Sequence, residues 1–187
     1  MIMPNWCYNH LEVLGGDEEG YSRKDFFSPI DLDKPEPTPL QIYVPMSDYH
    51  KTMEGFNDGG YGWCYDNWGT KWPESDFTIE SIDDYSSTFT FESPWGPPIL
   101  GYQKISKIYP TLFFLHYWQE DGMCFAGVAI YHNGHILFQK DSKNEDWPVW
   151  SEEYEYDSSE YHEKLYQLHD SLMGEAQVVL KGLMHIE

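Results

Sequence analysis

Several stretches of the chain divide their residues between two faces with a period of two, and that period predicts strands. Over residues 5–14, Cys7, Asn9, Leu11 and Val13 share one face while Trp6, Tyr8 and His10 fall on the other, and Gly15-Gly16 ends the run. Phe77 and Ile79 alternate with polar neighbours, as do Phe89 and Phe91, which predicts strands near 77–82 and 87–92 joined by turn chemistry at Asp83-Asp84. The strongest strands are 112–118 and 123–131: Leu112, Phe114, His116 and Trp118 share one side, Phe113, Leu115 and Tyr117 the other, and Gln119–Gly122 form the turn. Asn133-Gly134 then predicts a tight hairpin into 135–139, because both residues tolerate positive φ.

Helical spacing appears three times. A short helix anchored by Phe26-Phe27 and capped by Ser22 follows the first strand. Pro97-Pro98 opens a helix over 98–109 with a stripe of Tyr102, Ile105, Ile108 and Tyr109, and Pro110 stops it. The last helix, 158–184, is capped at Asp157 with Glu160 three residues on, and Tyr161, Leu165, Leu168, Leu172, Ala176, Val179 and Leu183 mark its packed face. Five prolines (Pro29, Pro35, Pro37, Pro39, Pro45) exclude long helices and central strands from 29–62, which leads into the aromatic stretch Trp63–Pro73. The order predicts an α+β fold: a split β-α-β antiparallel sheet with its helices on one face, an added β-meander and a C-terminal helix. The expected organisation is one domain over 1–187, with a body at 3–140, a loop-rich insertion at 29–73, and an acidic segment and helix at 141–187.

Charge narrows the function classes. The 187 residues carry 32 acids against 11 Lys and Arg, a net charge of −21. Such a chain repels nucleic-acid phosphates and anionic membrane surfaces, so the expected partner is a protein with a basic surface rather than a membrane or, directly, a nucleic acid. Aromatics at 18% supply both core and sticky surface. Three separated cysteines, no signal-peptide pattern and no membrane-spanning run lead to the expectation of a reducing, cytoplasmic location.

Two segments stand out as sites. Residues 145–163 hold eight acids and no Lys or Arg, interleaved with aromatics. Glu145, Asp146, Trp147, Trp150, Glu152, Glu153, Tyr154, Glu155 and Tyr156 are the expected partner-binding residues, the acids steering and the rings burying area, or else the segment is a solvated linker before the last helix. Residues 93–119, by contrast, contain no acid and carry Lys104 and Lys107, so charge is segregated along the chain. The second segment is Asn67, Trp68, Gly69, Thr70, Lys71 and Trp72, with Trp6 as a further stacking surface. Lys71 stands between two indoles able to hold it by cation–π contact, and the group suits a carboxylate, a phosphate or a stacked base, or else forms a tryptophan plug under the long loop. His132 and His135 face each other across the Asn-Gly turn, but two ligands do not close a metal site. No catalytic, cofactor or metal-binding motif is present, so no cofactor, metal or catalytic residue is assigned.

Several segments together carry a family resemblance: Met3-Pro4-Asn5-Trp6-Cys7-Tyr8-Asn9, Asp66-Asn67-Trp68-Gly69-Thr70-Lys71-Trp72, Ser93-Pro94-Trp95-Gly96-Pro97-Pro98, Tyr109-Pro110 and Glu120-Asp121-Gly122. Over about residues 3–140 the chain resembles the YubB-type ferredoxin-like proteins of bacteriophages and conjugative plasmids. The resemblance implies a ferredoxin-like sheet and a mobile-element origin, with no activity attached. Joined to the charge, it leads to the expectation of a non-enzymatic, phage- or plasmid-encoded protein that inhibits a host defence or nucleic-acid-handling protein, its carboxylates mimicking nucleic-acid phosphates. The alternative is a nucleotide or single-stranded nucleic-acid binding module built on Asn67–Trp72. The third is a hydrolase, which requires a buried histidine–carboxylate pair in a pocket.

Overall fold

The computed structural model describes residues 5–15, 23–31, 36–51, 60–83, 86–148 and 159–184. Strand β1 (Trp6–Gly15) is followed by four short helices, α1 (Arg23–Phe27), α2 (Pro39–Tyr43), α3 (Asp48–Lys51) and α4 (Gly60–Trp68). Then come β2 (Ser75–Ile82), β3 (Ser86–Pro94), α5 (Ile99–Ile108), β4 (Leu112–Glu120), β5 (Phe125–His132), β6 (His135–Asp141), a 3-10 turn (Asn144–Asp146) and α6 (Ser159–Met184). The expected strands are present, with their ends displaced by no more than two residues. The Ser22 and Asp157 caps lie outside the described residues.

All neighbouring strands are antiparallel, in the order β2-β3-β1-β4-β5-β6. The first four make the ferredoxin-like arrangement: β1 and β3 are central, and the chain crosses by helices between β1 and β2 and between β3 and β4. The β5–β6 meander widens the sheet beyond β4. Asn133 and Gly134 both take positive φ at its tight turn, as the dipeptide predicts.

The helices of the split β-α-β part lie on one face, as expected, and α6 differs from them by covering the other. The inward row of β1 and β3 (Cys7, Leu11, Val13, Phe89, Phe91) packs with Leu112, Phe114 and Trp118 of β4 against α1, α2, α4 and α5. The alternate row of β4 and β5 (Leu115, Tyr117, Val128, Ile130) packs against Leu165, Leu168, Leu172 and Ala176 of α6 on the opposite face. The period-two reading of β4 already required this: a strand apolar on both sides must be covered on both. Along α6 the buried stripe ends on Leu180, whereas Leu183 is exposed.

The insertion also differs from its expectation. Pro45 follows the end of α2, but the aromatic stretch begins as a helix. In α4, Cys64 and Trp68, four residues apart, turn inward. Helix α5 crosses it closely, because Gly101 has no side chain: a Cβ there would meet Leu40 at 2.2 Å and the Trp68 backbone at 3.5 Å.

Candidate functional site

Helix α6 lies over β4–β6 and packs on Leu14 at the end of β1, and leaves the rest of the outer face of β2, β3 and β1 open among the described residues. The outer row of β1 is Trp6, Tyr8, His10 and Glu12, none of them buried. Beside it β3 presents Thr88, Thr90 and Glu92, with Tyr8 opposite Glu92 and His10 opposite Thr90. Thr78 and Glu80 of β2 complete the face, and the Thr90 hydroxyl donates to Glu80 Oε1 at 3.0 Å. Three carboxylates, Glu12, Glu80 and Glu92, thus share a surface on strands that contain no Lys or Arg. Partial burial raises the Glu92 pKa above its ordinary value, and the negative Asp76 adds to the shift. Tyr8 is raised in the same way, by burial and then by Glu80. Where the face meets α6, a groove is lined by His10, Glu12, His169, Asp170, Met173 and neighbouring α6 residues.

The cations of α5 stand on the other side of the sheet, where α5 covers the first core. Lys104 Nζ donates to Asn67 Oδ1 at 2.7 Å, and the Lys107 stem lies against Gly134.

The expected Asn67–Trp72 site is divided by the end of α4. Trp68 is a plug, 2% exposed, with its indole N–H donating to Val44 O at 2.9 Å and its ring edge-on to Trp63. Asn67 Nδ2 donates back to Trp63 O, Gly69 turns the chain at φ +86°, and buried Thr70 donates to Pro94 O. Lys71 does not sit between Trp68 and Trp72: its ammonium lies 4.9 Å from the centre of the Trp95 ring. Only Trp72 and Trp6 meet, edge to face with centroids 6.0 Å apart, and Tyr61 tilts against Trp72 at 6.4 Å. This half-exposed ledge adjoins the bare face, because Trp6 begins the outer row of β1.

Of the acidic segment, Glu145 and Asp146 are exposed, but Trp147 is buried in the α6 core, where its indole N–H has no partner. An aromatic residue in that core is not a surface contact, which corrects its assignment to partner binding. Trp150, Glu152, Glu153, Tyr154, Glu155 and Tyr156 lie outside the described residues.

Sequence reasoning missed a polar chain inside the first core. Tyr131 OH lies 3.1 Å from His116 Nδ1, and His116 Nε2 lies 3.0 Å from Asn9 Oδ1. Asn9 Nδ2 donates to Cys7 O and to Ser93 Oγ, and the Ser93 hydroxyl donates to Gly96 O. With the Asn9 oxygen facing Nε2, that nitrogen carries the proton and Nδ1 accepts from Tyr131. Burial holds the His116 pKa down at about 3, with His10 as a second positive influence. Nearby, buried Glu74 accepts from Thr38 Oγ1, Leu40 N and Tyr102 OH, and burial raises its pKa. The buried histidine therefore pairs with an amide and a phenol. His132 and His135 do face each other, but His132 Nδ1 is 3.1 Å from Leu112 O and its ring stacks on Phe113. Among the described residues no group of three metal-ligating side chains converges. No helix there is long and apolar enough to cross a membrane. All three cysteines are free, and only Cys124 is exposed.

Strand order and helix placement define a ferredoxin-like α+β domain with an added hairpin and a helix on its second face. The chain belongs to the family described as the ferredoxin-like domain in Api92-like protein, whose model matches residues 67–169. Among solved structures it is similar to the crystal structure of a protein Api92 from Yersinia pseudotuberculosis, at 16% identity and a TM-score of 0.47. That alignment covers 56% of this chain and 39% of the Yersinia chain. No curated protein sequence matches the chain.

Proposed function

We propose that this protein is a non-enzymatic binding protein whose bare half-sheet receives a basic surface of a partner protein. The observation that carries the reading is the placement of Glu12, Glu80 and Glu92 on one uncovered face whose strands hold no Lys or Arg. Like charges held together repel one another; at Glu92, where burial is the main cause of the raised pKa, the negative Asp76 adds to it. A cationic partner relieves that repulsion and is steered toward it. In the finer form of the proposal the gene belongs to a phage or plasmid, as the YubB-type resemblance suggests. The partner is then a host defence or nucleic-acid-handling protein, inhibited because carboxylates occupy the place of phosphates. Direct stacking of nucleotides has less support, since Trp68 is sealed inside and the sheet face beside Trp6 is acidic.

The test is a host-lysate pull-down with two baits, the native chain and a Glu12→Gln/Glu80→Gln/Glu92→Gln variant. The native bait should retain a basic protein at low salt and release it to excess duplex DNA, and the variant should not retain it. Equal recovery by both baits, or recovery by neither, overturns the proposal.

A further inference from the structure

The aromatic ledge at the end of the bare face is not accounted for by folding alone. Trp6 is 39% exposed and Tyr61 42% exposed, yet both stand against Trp72, giving two indoles at 75° to each other and a phenol ring tilted at 55°. Burial does not explain this corner, because the large rings that hold the core together, such as Trp118 and Trp68, are enclosed. Rings of this kind offer their negative faces to a cation, and indole does so best. The neighbouring indole of Trp95 already does this, with the Lys71 ammonium 4.9 Å from its centre.

The carboxylates lie within reach. In the β1–β3 register Trp6 is opposite Pro94, and Glu92 is its diagonal neighbour on the same outer face. Diagonal positions in an antiparallel pair are about 7–8 Å apart, which a long basic side chain spans. Tyr8, 46% exposed, is directly opposite Glu92 and follows Trp6 on the same outer row.

We infer that the Trp6–Trp72–Tyr61 corner is the anchoring site for an arginine side chain of the partner protein, its guanidinium on the indole faces and Glu92 beside it. This rests on the docking face proposed above and names its anchor. Arginine fits better than lysine because a flat, weakly hydrated guanidinium stacks on a ring and still presents N–H donors to a carboxylate at its edge.

The experiment follows the indole N–H signals of the 15N-labelled full chain during titration with the blocked peptide Gly-Arg-Gly. A second titration uses the same peptide with neutral citrulline in place of arginine. The Trp6 and Trp72 signals, assigned from single Trp→Phe variants, should shift saturably with the arginine peptide, with binding roughly tenfold weaker for citrulline. The Trp68 and Trp118 signals should stay in place. Trp6→Leu should abolish the preference for arginine, and Trp6→Tyr, which restores a ring, should recover part of it. Because Trp6 is exposed, folding of both variants is checked by the unmoved Trp118 signal. Equal binding of the two peptides, or shifts that avoid Trp6 and Trp72, overturns the inference. If the arginine peptide leaves both indoles unmoved while the Glu→Gln bait still loses its partner, the docking face stands and the anchor is wrong. If the Glu→Gln bait also behaves like the native one, both fall.

Discussion

His116 Nε2 on β4 lies 3.0 Å from Asn9 Oδ1 on β1, and both residues are fully buried. The amide fixes the histidine tautomer and continues the hydrogen-bond chain to Ser93, so a neutral imidazole is built into the sheet. The consequence is a sensitivity to acid. Burial lowers the His116 pKa to about 3 from 6.5, so between those values the unfolded chain binds a proton that the folded chain refuses. Stability from this group is complete above the unfolded value and falls as pH drops toward 3, by up to about 1.4 kcal/mol per pH unit. Urea unfolding between pH 7 and pH 4 should show the loss. His116→Gln should be less stable at pH 7 yet lose less on acidification, and an unchanged slope would assign the effect to other groups.

Glu74 carries the opposite sign. Its three donors, Thr38 Oγ1, Leu40 N and Tyr102 OH, favour the carboxylate, but burial outweighs them and raises its pKa. A raised pKa means a contribution that is present below the unfolded value and is lost as pH rises through the folded one. Glu74→Gln should remove that component and flatten the upper limb of the stability profile. Glu74→Ala also leaves the donors without an acceptor and should be about 2 kcal/mol less stable than Glu74→Gln at any pH. Comparing the two variants by denaturant titration at pH 5 and pH 8 separates hydrogen bonding from charge.

What could be read in the sequence was what repeats. The faces of β1 and β4 follow from strict alternation, and α6 from seven apolar positions at helical spacing. Helix α4 was not legible as a helix because Gly60 and Gly62 open it and its aromatics point both inward and outward. The available signal was the Cys64/Trp68 pair at i, i+4. Lys71 was placed on the wrong ring for the same reason: once Trp68 ends a helix, its indole turns to Val44, and Trp95 arrives from a turn 24 residues on. Glu74 could not be singled out among 32 acids, since nothing local marks an acid for burial. The acidic face needed the strand register, because Glu12, Glu80 and Glu92 are separated in the chain and meet only through β1–β3–β2 pairing.

Two buried tryptophans allow a single hydrogen bond to be weighed. Trp68 donates to Val44 O at 2.9 Å, whereas the Trp147 N–H is buried without a partner. Phenylalanine removes the same volume at either site, so the packing loss is similar. At position 68 the substitution also strands a carbonyl, while at 147 it removes an unsatisfied donor. Trp68→Phe should therefore be more destabilising than Trp147→Phe by about 2 kcal/mol in urea unfolding. Equal losses would mean that the Trp147 N–H has an acceptor in solution.

Two glycines set a last contrast. A Cβ on Gly127 of β5 would stand 2.4 Å and 2.6 Å from atoms of the Trp118 ring, which is packed on all sides and cannot withdraw. Gly127→Ala should force the strands apart and cost about 1–3 kcal/mol. Gly174 lies within α6, where a Cβ would meet nothing within 4 Å. Alanine there gains helix propensity, and Gly174→Ala should raise stability by about 1 kcal/mol. Thermal unfolding of both variants reads the two signs. Gly174 also lines the groove between α6 and the bare face, so the stabilised variant asks a functional question as well. If partner binding uses only the half-sheet and the ledge, Gly174→Ala should hold its partner as the native chain does. Weakened binding in that more stable variant would extend the docking surface into the groove beside His10 and Glu12.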